Sequence, residues 1–569
     1  MAAPEGKVRL YNYQDISFEE ALADEGNIIA QNQQYKDTFA LKIRLYENAA
    51  ALRRLVAAHL GLDGGRVQMD APQNWRQGSF NLVLPMLIYD KVVEKHVAPN
   101  QVESRVGTSP TDASIVRRVV LRWPISGRCG ETHYPEALLE KICSEVASYI
   151  WMQRRCPDVR IPQLYGFGLP TGQHVRALLL GTVYPGEPST LATPHRPSYT
   201  TGCSLLRWPV PADYLVFEPP SLPPSIVPGY MILEHLGPEF GEVIPLAVRN
   251  PETPAHGGDD TRRRNLYRSI SRIMLSIARV PQPKIGAFRF DPANGTIALA
   301  SRPVTCDMAM LENEGVPRVM EPGVLHTSAR AYVEKLLAFQ DARFRSLANS
   351  VTGREDCESQ MSVQVLFRAV AEHFQSVHHP CERSDGGPFR LCLTDFNAAN
   401  FFIDKDWNVT AMYDLEWIVA LPLSMHEAPH WLTRKNLGQC AGKHYDEFSA
   451  ARKGFMEVFR VEEEAQNKYI ACVGDNAPIS DAIDASWTSG RYWFNASLLS
   501  LNGLHIITQY RLRHVFGLEE PVGREYWQLW APKADEVVDQ KVRDRKAYIA
   551  NLAVLFGRNN PVEVTGDGQ

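Results

Sequence analysis

The amino-acid sequence predicts an α+β fold with two lobes, and three observations support this prediction. Segments with strand patterns dominate residues 75–236, whereas longer segments with helical periodicity dominate residues 237–569. The length of 569 residues exceeds what one hydrophobic core usually serves. A hydrophobic content of 44% and a charged content of 22% are typical of a globular protein, so each lobe can have an ordinary core.

Residues 1–74 are predicted to form an N-terminal extension with one helix. The first residues, up to about 35, are polar, and their order is uncertain. Residues 37–60 place leucine and valine side chains largely on one helical face. The glycines at positions 61, 64 and 65 then end this helix.

The β-rich lobe, residues 75–236, is predicted to have the order strand, strand, helix, strand, insertion, strand. Residues 77–84 form a turn leading into a strand, residues 116–123 form the next strand, and residues 135–154 form the helix. The insertion at 170–228 is rich in proline, glycine, serine and threonine. Loops of this length are usually functional or disordered.

The second lobe, residues 237–569, is predicted to be mainly helical and to end in a helical tail. Residues 260–279, 329–348 and 360–377 have helical periodicity. One hairpin is predicted around Asn294-Gly295, a dipeptide that favours the tight turns between antiparallel strands.

The stretch Leu391–Trp417 lies between these helices and is the most informative part of the sequence. Residues 401–403 and 409–413 have strand character, and the residues between them favour a turn. Folding the hairpin about its centre places Asn400 roughly opposite Asp414. Directly opposed residues of antiparallel strands have Cα atoms only about 4.5–5.5 Å apart. An amide oxygen and a carboxylate should therefore converge at one end of the hairpin.

Asp395 lies one loop earlier, at the same end of the predicted hairpin. Oxygen ligands such as those of Asn400 and Asp414 suit Mg²⁺, which binds one or two carboxylates together with substrate phosphates. A carboxylate held beside the metal, here Asp395, can accept a proton from a hydroxyl. The spacing Asp-x4-Asn, then a hairpin and Asp, is the base and metal arrangement of the protein-kinase-like fold. Alternatively, Asp395, Asn397 and Asn400 are loop formers and Asp414 only ends a strand.

A nucleotide in the cleft between the lobes would need backbone donors and a cation. Gly78 and Ser79 could supply backbone N–H groups, although most Gly-Ser pairs are plain turns. Arg122 could supply the cation, although an arginine at a strand end is often a solvated edge charge. Two further expectations depend on the fold. Glu145 would pair with Arg122, and the segment from Glu234 to Leu236 would offer backbone groups to the base.

The chain resembles the fungal proteins of the aminoglycoside phosphotransferase-like superfamily, which has the two-lobe protein-kinase-like fold. The resemblance extends over residues 75–435 and is most specific in IGAFRFDPANGTIALASRPVT followed by LENEGVP. Shorter resembling segments are GSFN at 78–81, VVLR at 119–122, EVA at 145–147, MILE at 231–234, LTDF at 393–396 and YDLEW at 413–417.

The resemblance implies ATP- and Mg²⁺-dependent transfer of a phosphoryl group to a hydroxyl of a small molecule. It implies that Asp395 is the base and that Asn400 and Asp414 hold the metal. Arg122 would contact the phosphates with Glu145 as its partner, and the turn at Gly78 would cover them. The residues from Glu234 to Leu236 would bind the nucleobase of ATP.

The sequence also departs from the family pattern. Leu393 and Asn397 replace the histidines expected two residues before and after Asp395, and Arg122 replaces the usual strand lysine. Arginine is not equivalent to lysine, because its guanidinium is forked and planar. Two other functions therefore stay open: a kinase-like binding or regulatory module without catalysis, and a metal-dependent hydrolase that uses the same oxygen ligands.

Charge and composition exclude several classes of partner. A net charge of −5 and a pI of about 6.4 give no electrostatic basis for binding nucleic acid or an anionic membrane. No run of 18 apolar residues predicts a transmembrane helix, and no secretory signal is visible, so we expect a cytoplasmic protein. The sequence does not predict the acceptor or the oligomeric state.

Overall fold

The computed structural model describes residues 4–93, 114–177, 214–226, 229–244, 260–377, 379, 381–383, 387–470, 478–501 and 503–558. These residues form a mixed α+β structure with strands in several sheets, so the predicted class is confirmed. Most of the insertion predicted at 170–228 lies outside the described residues.

The strands and helices have the following bounds in chain order. The strands are β1 (Lys7–Arg9), β2 (Asp15–Ser17), β3 (Val67–Met69), β4 (Arg76–Gln77), β5 (Asn81–Tyr89), β6 (Ile115–Pro124), β7 (Leu164–Gly168), β8 (His174–Ala177), β9 (Tyr214–Phe217), β10 (Tyr230–Glu234), β11 (Glu242–Val243), β12 (Pro281–Gln282), β13 (Gly286–Asp291), β14 (Thr296–Ser301), β15 (Phe389–Leu393), β16 (Phe401–Ile403), β17 (Val409–Met412) and β18 (Ile418–Pro422). The helices are α1 (Phe18–Ala23), α2 (Ile28–Glu47), α3 (Ala49–Leu60), α4 (Ala137–Arg155), α5 (Asp260–Ala278), α6 (Cys306–Asn313), α7 (Ala329–Ser346), α8 (Arg354–Ser376), α9 (Leu437–Ala441), α10 (Tyr445–Ile470), α11 (Ile479–Thr488), α12 (Arg491–Leu499), α13 (Gly503–Ile507), α14 (Arg513–Val515) and α15 (Ala534–Leu555).

An eight-stranded antiparallel sheet has the order β3-β5-β6-β10-β7-β8-β9, with β4 paired to β5. Successive side chains of a strand point to opposite faces of a sheet. In β6, Leu121 therefore packs on one face in a core shared with α3, whereas Arg122 points to the other face. This second face lies toward α4, so the alternation in β6 determines where the arginine points.

The N-terminal region differs from the prediction of an extension with one helix over residues 1–74. The described part of this region contains α1, α2 and α3, and the predicted 37–60 helix is divided at Asn48. Asn48 ends α2, where its N–H and its side-chain amide both donate to the Arg44 carbonyl. β3 precedes the predicted boundary at residue 74, and it pairs with β5 as part of the large sheet.

A second, five-stranded sheet has the order β12-β15-β18-β13-β14, so the later part of the chain is less purely helical than predicted. The hairpin predicted at Asn294-Gly295 is confirmed as the β13–β14 connection, with Gly295 at a left-handed φ of 64°. Helix α4 shares one core with both sheets, where Ile142 and Val146 lie in the same cluster as Phe167 and Phe290.

The last helix, α15, returns to the first elements of the chain. Tyr548 and Leu552 lie in one buried cluster with Leu10, Ile16 and other residues of the N-terminal segment. The Tyr548 hydroxyl accepts from the Ile28 N–H at 3.0 Å. None of the helices in the described ranges is both long and apolar enough to cross a bilayer.

Candidate active site

The predicted hairpin is present as β16 and β17, with a different register at its end. Phe401 pairs with Met412, and the Tyr413 N–H donates to the Asn400 carbonyl at 3.0 Å. Asn400 therefore lies opposite Tyr413, and Asp414 is one residue farther along than predicted. The cause is the position of the turn, which is centred on Asp406 because Ile403 pairs with Val409, and an extra residue in the second strand beyond that pair brings the partner of Asn400 one position closer to Asp414.

The loop Asp414–Trp417 begins and ends with left-handed residues, at φ 63° for Asp414 and 62° for Trp417. Such values are uncommon for residues other than glycine and are frequent at functional sites. Thr394 holds the end of this loop, because its N–H and its hydroxyl donate to the Trp417 carbonyl at 3.0 and 2.9 Å. The loop therefore lies directly beside the segment that carries Asp395.

Asn397 and Asn400 have different tasks around Asp395. The Asn397 side chain accepts from the Ala399 N–H at 3.0 Å, so Asn397 is a loop former. The buried Asn400 side chain donates its amide to the Asp395 carbonyl at 3.2 Å. Its amide oxygen accepts no hydrogen bond from the described residues, so this oxygen is the atom left for a cation.

Arg122 lies at the centre of a buried charge cluster. Its Nε is 2.8 Å from Glu145 Oε1, its Nη2 is 2.6 Å from Asp414 Oδ1, and Nη2 also contacts Glu416. The predicted pairing of Glu145 with Arg122 is thus present, between α4 and β6. The direct contact of Arg122 with Asp414 was not foreseen. We name these four residues together with Lys141 the cleft cluster.

Lys141 is the member of the cleft cluster that the sequence analysis missed. Its Nζ is 3.1 Å from Glu145 Oε2 and 3.1 Å from Glu416 Oε2. It also donates to the side-chain oxygen of Asn81 at 3.1 Å. The available signal was its position four residues before Glu145, because residues at this spacing share one helix face.

The carboxyl groups of the cleft cluster titrate differently. Burial raises the pKa of Glu145 to about 7, although Arg122 and Lys141 oppose this shift. Burial also raises the pKa of Asp414, again against Arg122. Burial acts in the same direction on Glu416, but there Lys141 and Arg122 prevail and lower the pKa. Glu416 is therefore the carboxylate most firmly held in its charged form.

The oxygens available here suit a divalent cation. One carboxylate oxygen from each of Glu145, Asp414 and Glu416 lies within 4.8 Å of the others. Arg122 contacts all three, so its guanidinium already provides positive charge at this point. The Asp414 side chain is 31% exposed, whereas those of Glu145 and Glu416 are 1% and 4% exposed. Asp414 is therefore the carboxylate of this group most accessible to a cation from solution.

Gly78 and Ser79 lie at the exposed turn between β4 and β5. The Gly78 N–H donates to the Asn81 carbonyl at 2.8 Å, whereas the Ser79 N–H has no acceptor among the described residues. The next residue, Phe80, packs edge-on against Trp417 with ring centroids 5.2 Å apart. This contact places the turn over the Asp414–Trp417 loop and leaves the Ser79 N–H free for a ligand.

Glu234 is the last residue of β10, and His235 after it lines a cavity of about 250 Å³. The Glu234 carboxylate binds Arg160 at 2.5 Å and the Gln163 N–H at 3.1 Å, and the Glu234 N–H donates to the Gln163 carbonyl at 2.9 Å. The Leu236 N–H has no acceptor in the described ranges. The lining of this cavity combines side chains from the large sheet with the segment after β10: Asp70, Asn74, Arg76, Val83, Pro85, Arg118, Val120 and His235.

Asp395 lines a second cavity, which is larger and has a volume of about 410 Å³. Three acidic side chains, Asp307, Asp395 and Glu427, line it together with many apolar and aromatic residues. Burial raises the pKa of Asp395 to about 7, and the neighbouring Asp414 adds to this shift. Burial likewise raises the pKa of Asp307 to about 6 and that of Glu427 to about 8. Neither Asp307 nor Glu427 carried a sequence signal, because they come from distant segments.

Asp395 is thus within electrostatic reach of the cleft cluster and also part of the wall of a cavity that can hold a small molecule. The Asn400 amide is bonded to the same residue, and Asp414 follows the same hairpin. Neither the models of known protein families nor the curated proteins match this chain.

Proposed function

We propose that the protein is an ATP- and Mg²⁺-dependent phosphotransferase with a two-lobe protein-kinase-like arrangement. Its acceptor would be a hydroxyl of a small molecule. One observation carries the proposal: Asp395 lines the 410 Å³ cavity, and its neighbour Thr394 is bonded to the Asp414–Trp417 loop that carries two carboxylates of the cleft cluster. A phosphotransferase needs a base that touches the acceptor on one side and faces the metal and phosphates on the other.

Asp395 acts as the base in this proposal. A base is most effective when its pKa lies near the working pH, and burial raises the pKa of Asp395 to about 7. The deprotonated carboxylate accepts the proton of an acceptor hydroxyl bound in the 410 Å³ cavity.

Asn400 and Asp414 would hold Mg²⁺, which supplies charge stabilisation for the transferred phosphoryl group when it is bound. Arg122 contacts the phosphates, and Glu145 fixes the direction of its guanidinium through the 2.8 Å contact at Nε. Gly78 and Ser79 cover the phosphates from the turn. The segment from Glu234 to Leu236 would bind the nucleobase of ATP, and His235 within it lines the 250 Å³ cavity.

A titration of the full chain with Mg²⁺ and ATP tests the proposal. Ligand at about 100-fold over its Kd should raise the free energy of unfolding by about 2.7 kcal/mol. An ATP-consumption screen over hydroxylated small molecules then identifies the acceptor. Asp395→Ala should abolish consumption and keep ATP binding. Asp406→Asn, at the exposed turn of the same hairpin, is the matched control and should keep both.

A second candidate is a kinase-like binding module without catalysis, and a specific observation favours it. Arg122 is bonded directly to Asp414, the best-exposed oxygen ligand, at 2.6 Å. If this ion pair never opens, the metal cannot bind and the site recognises ligands only through its cavities. ATP binding that does not depend on Mg²⁺, without consumption of ATP, would favour this candidate over the phosphotransferase.

A further inference from the structure

The cleft cluster contains a second cation, Lys141, for which the proposed mechanism gives no task. Lys141 is only 6% exposed, and its Nζ lies within 3.1 Å of Glu145, Glu416 and Asn81. A buried charge is costly unless it is paired. Asn81, the first residue of β5, also donates its side-chain amide to Glu416. The Asn81 side chain therefore links Lys141 to Glu416.

The two cations divide the carboxylates unequally. Arg122 contacts Glu145, Asp414 and Glu416, whereas Lys141 contacts only Glu145 and Glu416. Across the described residues, Asp414 has an ion pair with Arg122 alone, and it is also the most exposed carboxylate of the cluster. A ligand can therefore replace the contact of Arg122 with Asp414 while Lys141 keeps the other two carboxylates paired.

The charge balance gives Lys141 a second effect. Three carboxylates and two cations give the ionised cluster a charge of −1. A divalent cation on Asp414 changes this charge to +1, which attracts phosphates. Without Lys141 the cluster would have a charge of −2 before the divalent cation binds and a charge of 0 afterwards. Lys141 thus determines whether the metal-loaded site is positive.

We propose that Lys141 is a positioning residue for the binding of the metal and the nucleotide. It holds Glu145 and Glu416, so that the guanidinium of Arg122 can exchange Asp414 for a phosphate oxygen. This inference rests on the proposed phosphotransferase function and adds a residue from α4 to it. No bond is made or broken at Lys141 itself.

The test compares the wild-type full chain with Lys141→Met, Lys141→Arg and Lys541→Met. Calorimetric titration with Mg²⁺ and a non-hydrolysable ATP analogue measures affinity, and thermal unfolding measures stability. Lys541 is also a buried lysine, but it lies in α15 and donates to the Leu347 carbonyl. Lys541→Met should lower the unfolding temperature and leave the affinity unchanged.

We expect Lys141→Met to weaken binding roughly tenfold or more, because one positive charge near the phosphates is lost. Lys141→Arg keeps the charge and should recover most of the affinity. If Lys141→Met does not fold, the double variant Lys141→Met with Glu416→Gln retains a cluster charge of −1. It should fold and still bind weakly, because Arg122 is then the only cation for Glu145 and Asp414.

Two results would overturn the proposal, and they are distinguishable. Wild-type affinity in a folded Lys141→Met protein shows that Lys141 has no part in ligand binding, and wild-type affinity in the double variant shows that Lys141 acts only through its charge and does not position Arg122. Absence of Mg²⁺-dependent binding in the wild type instead removes the phosphotransferase function, and this inference with it.

Discussion

Two buried charge clusters involve α4, one through Glu140 and the other through Lys141 and Glu145, and only one of them has the character of a binding site. The Arg302 cluster joins Arg302 and Arg318 to Glu140 and Glu312, so two cations face two anions. Arg302 binds Glu140 through Nε and Nη2, both at 2.9 Å. The cleft cluster has two cations for three carboxylates.

Exposure separates the two clusters further. The four side chains of the Arg302 cluster are at most 11% exposed, whereas Asp414 in the cleft cluster is 31% exposed. A balanced and closed cluster needs no ligand. An unbalanced cluster with one accessible carboxylate can gain a cation from solution. The difference teaches that charge balance and accessibility indicate function better than burial alone does.

The largest expected effect on the free energy of unfolding is that of Arg302→Met. This variant leaves Glu140 and Glu312 with Arg318 alone, and breaking a buried ion pair typically costs about 3–5 kcal/mol. Urea unfolding should show a loss of this size. Nucleotide affinity, measured where the variant is still folded, should equal that of the wild type. A loss below about 1 kcal/mol would contradict a structural role for this cluster.

Asp414→Asn should have the opposite profile. It removes the unbalanced charge, so the free energy of unfolding should stay the same or rise, because Glu145 and Glu416 keep both cations. Mg²⁺-dependent transfer should fall by about 100-fold or more, as for other groups that stabilise a transition state. Glu312→Gln is the matched control, because it also replaces a carboxylate by an amide. It leaves Arg302 and Arg318 with Glu140 alone and should therefore lower the free energy of unfolding. A destabilised Asp414→Asn protein would show that its ion pair with Arg122 is structural.

Asp395 lies near the cleft cluster, and the pH dependence of transfer and of stability at this residue gives a third test of the comparison. Burial and Asp414 raise the pKa of Asp395 to about 7, so the base is protonated below that pH and transfer should increase as pH rises through 7. The folded pKa exceeds the unfolded value of about 3.9, so the associated stability is present below pH 4 and is lost as pH rises through 7.

Asp395→Asn checks the sign of this linkage. Its free energy of unfolding, relative to that of the wild type, should increase between pH 4 and pH 8. Urea unfolding at several pH values measures the difference. If the difference were flat over this range, the pKa of Asp395 in the folded protein would be close to its ordinary value.

The smallest expected effect is that of salt. Raising the ionic strength from about 0.1 to about 1 M shortens the Debye length from about 10 to about 3 Å and affects exposed charges most. The destabilisation caused by Arg302→Met should therefore change little. The effect of Asp414→Asn on nucleotide affinity should shrink with salt. Equal responses would show that exposure does not separate the two clusters.

Local patterns predicted the parts of the site that are close in sequence. The hairpin of β16 and β17 followed from its turn residues, and α4 from its periodicity. The contact of Glu145 with Arg122 required only that one strand and one helix pack together, as the resemblance implied. The one-residue error in the partner of Asn400 arose because several residues between the two strands favour a turn, and the sequence does not show on which of them the turn is centred.

Contacts between distant segments could not be predicted. Lys141 lies on a helix that is otherwise mostly buried, where a lysine normally indicates an exposed face. Its partner Glu416 comes from a loop with left-handed residues, and Asp307 and Glu427 meet only when α6 and the segment after β18 pack. In such cases the chemistry depends on tertiary packing, which a single sequence does not encode locally.

The return of α15 to the first residues of the chain has a consequence for cooperativity. Leu10 and Ile16 have Leu552 as a core neighbour, and the Arg545 guanidinium donates to the Leu22 carbonyl at 2.9 Å. Amide hydrogens of α2 and α15 should therefore exchange with deuterium as one unit, although more than 480 positions separate them. Removal of α15, by ending the chain before residue 534, would then loosen the N-terminal segment and with it the helices that support the large sheet.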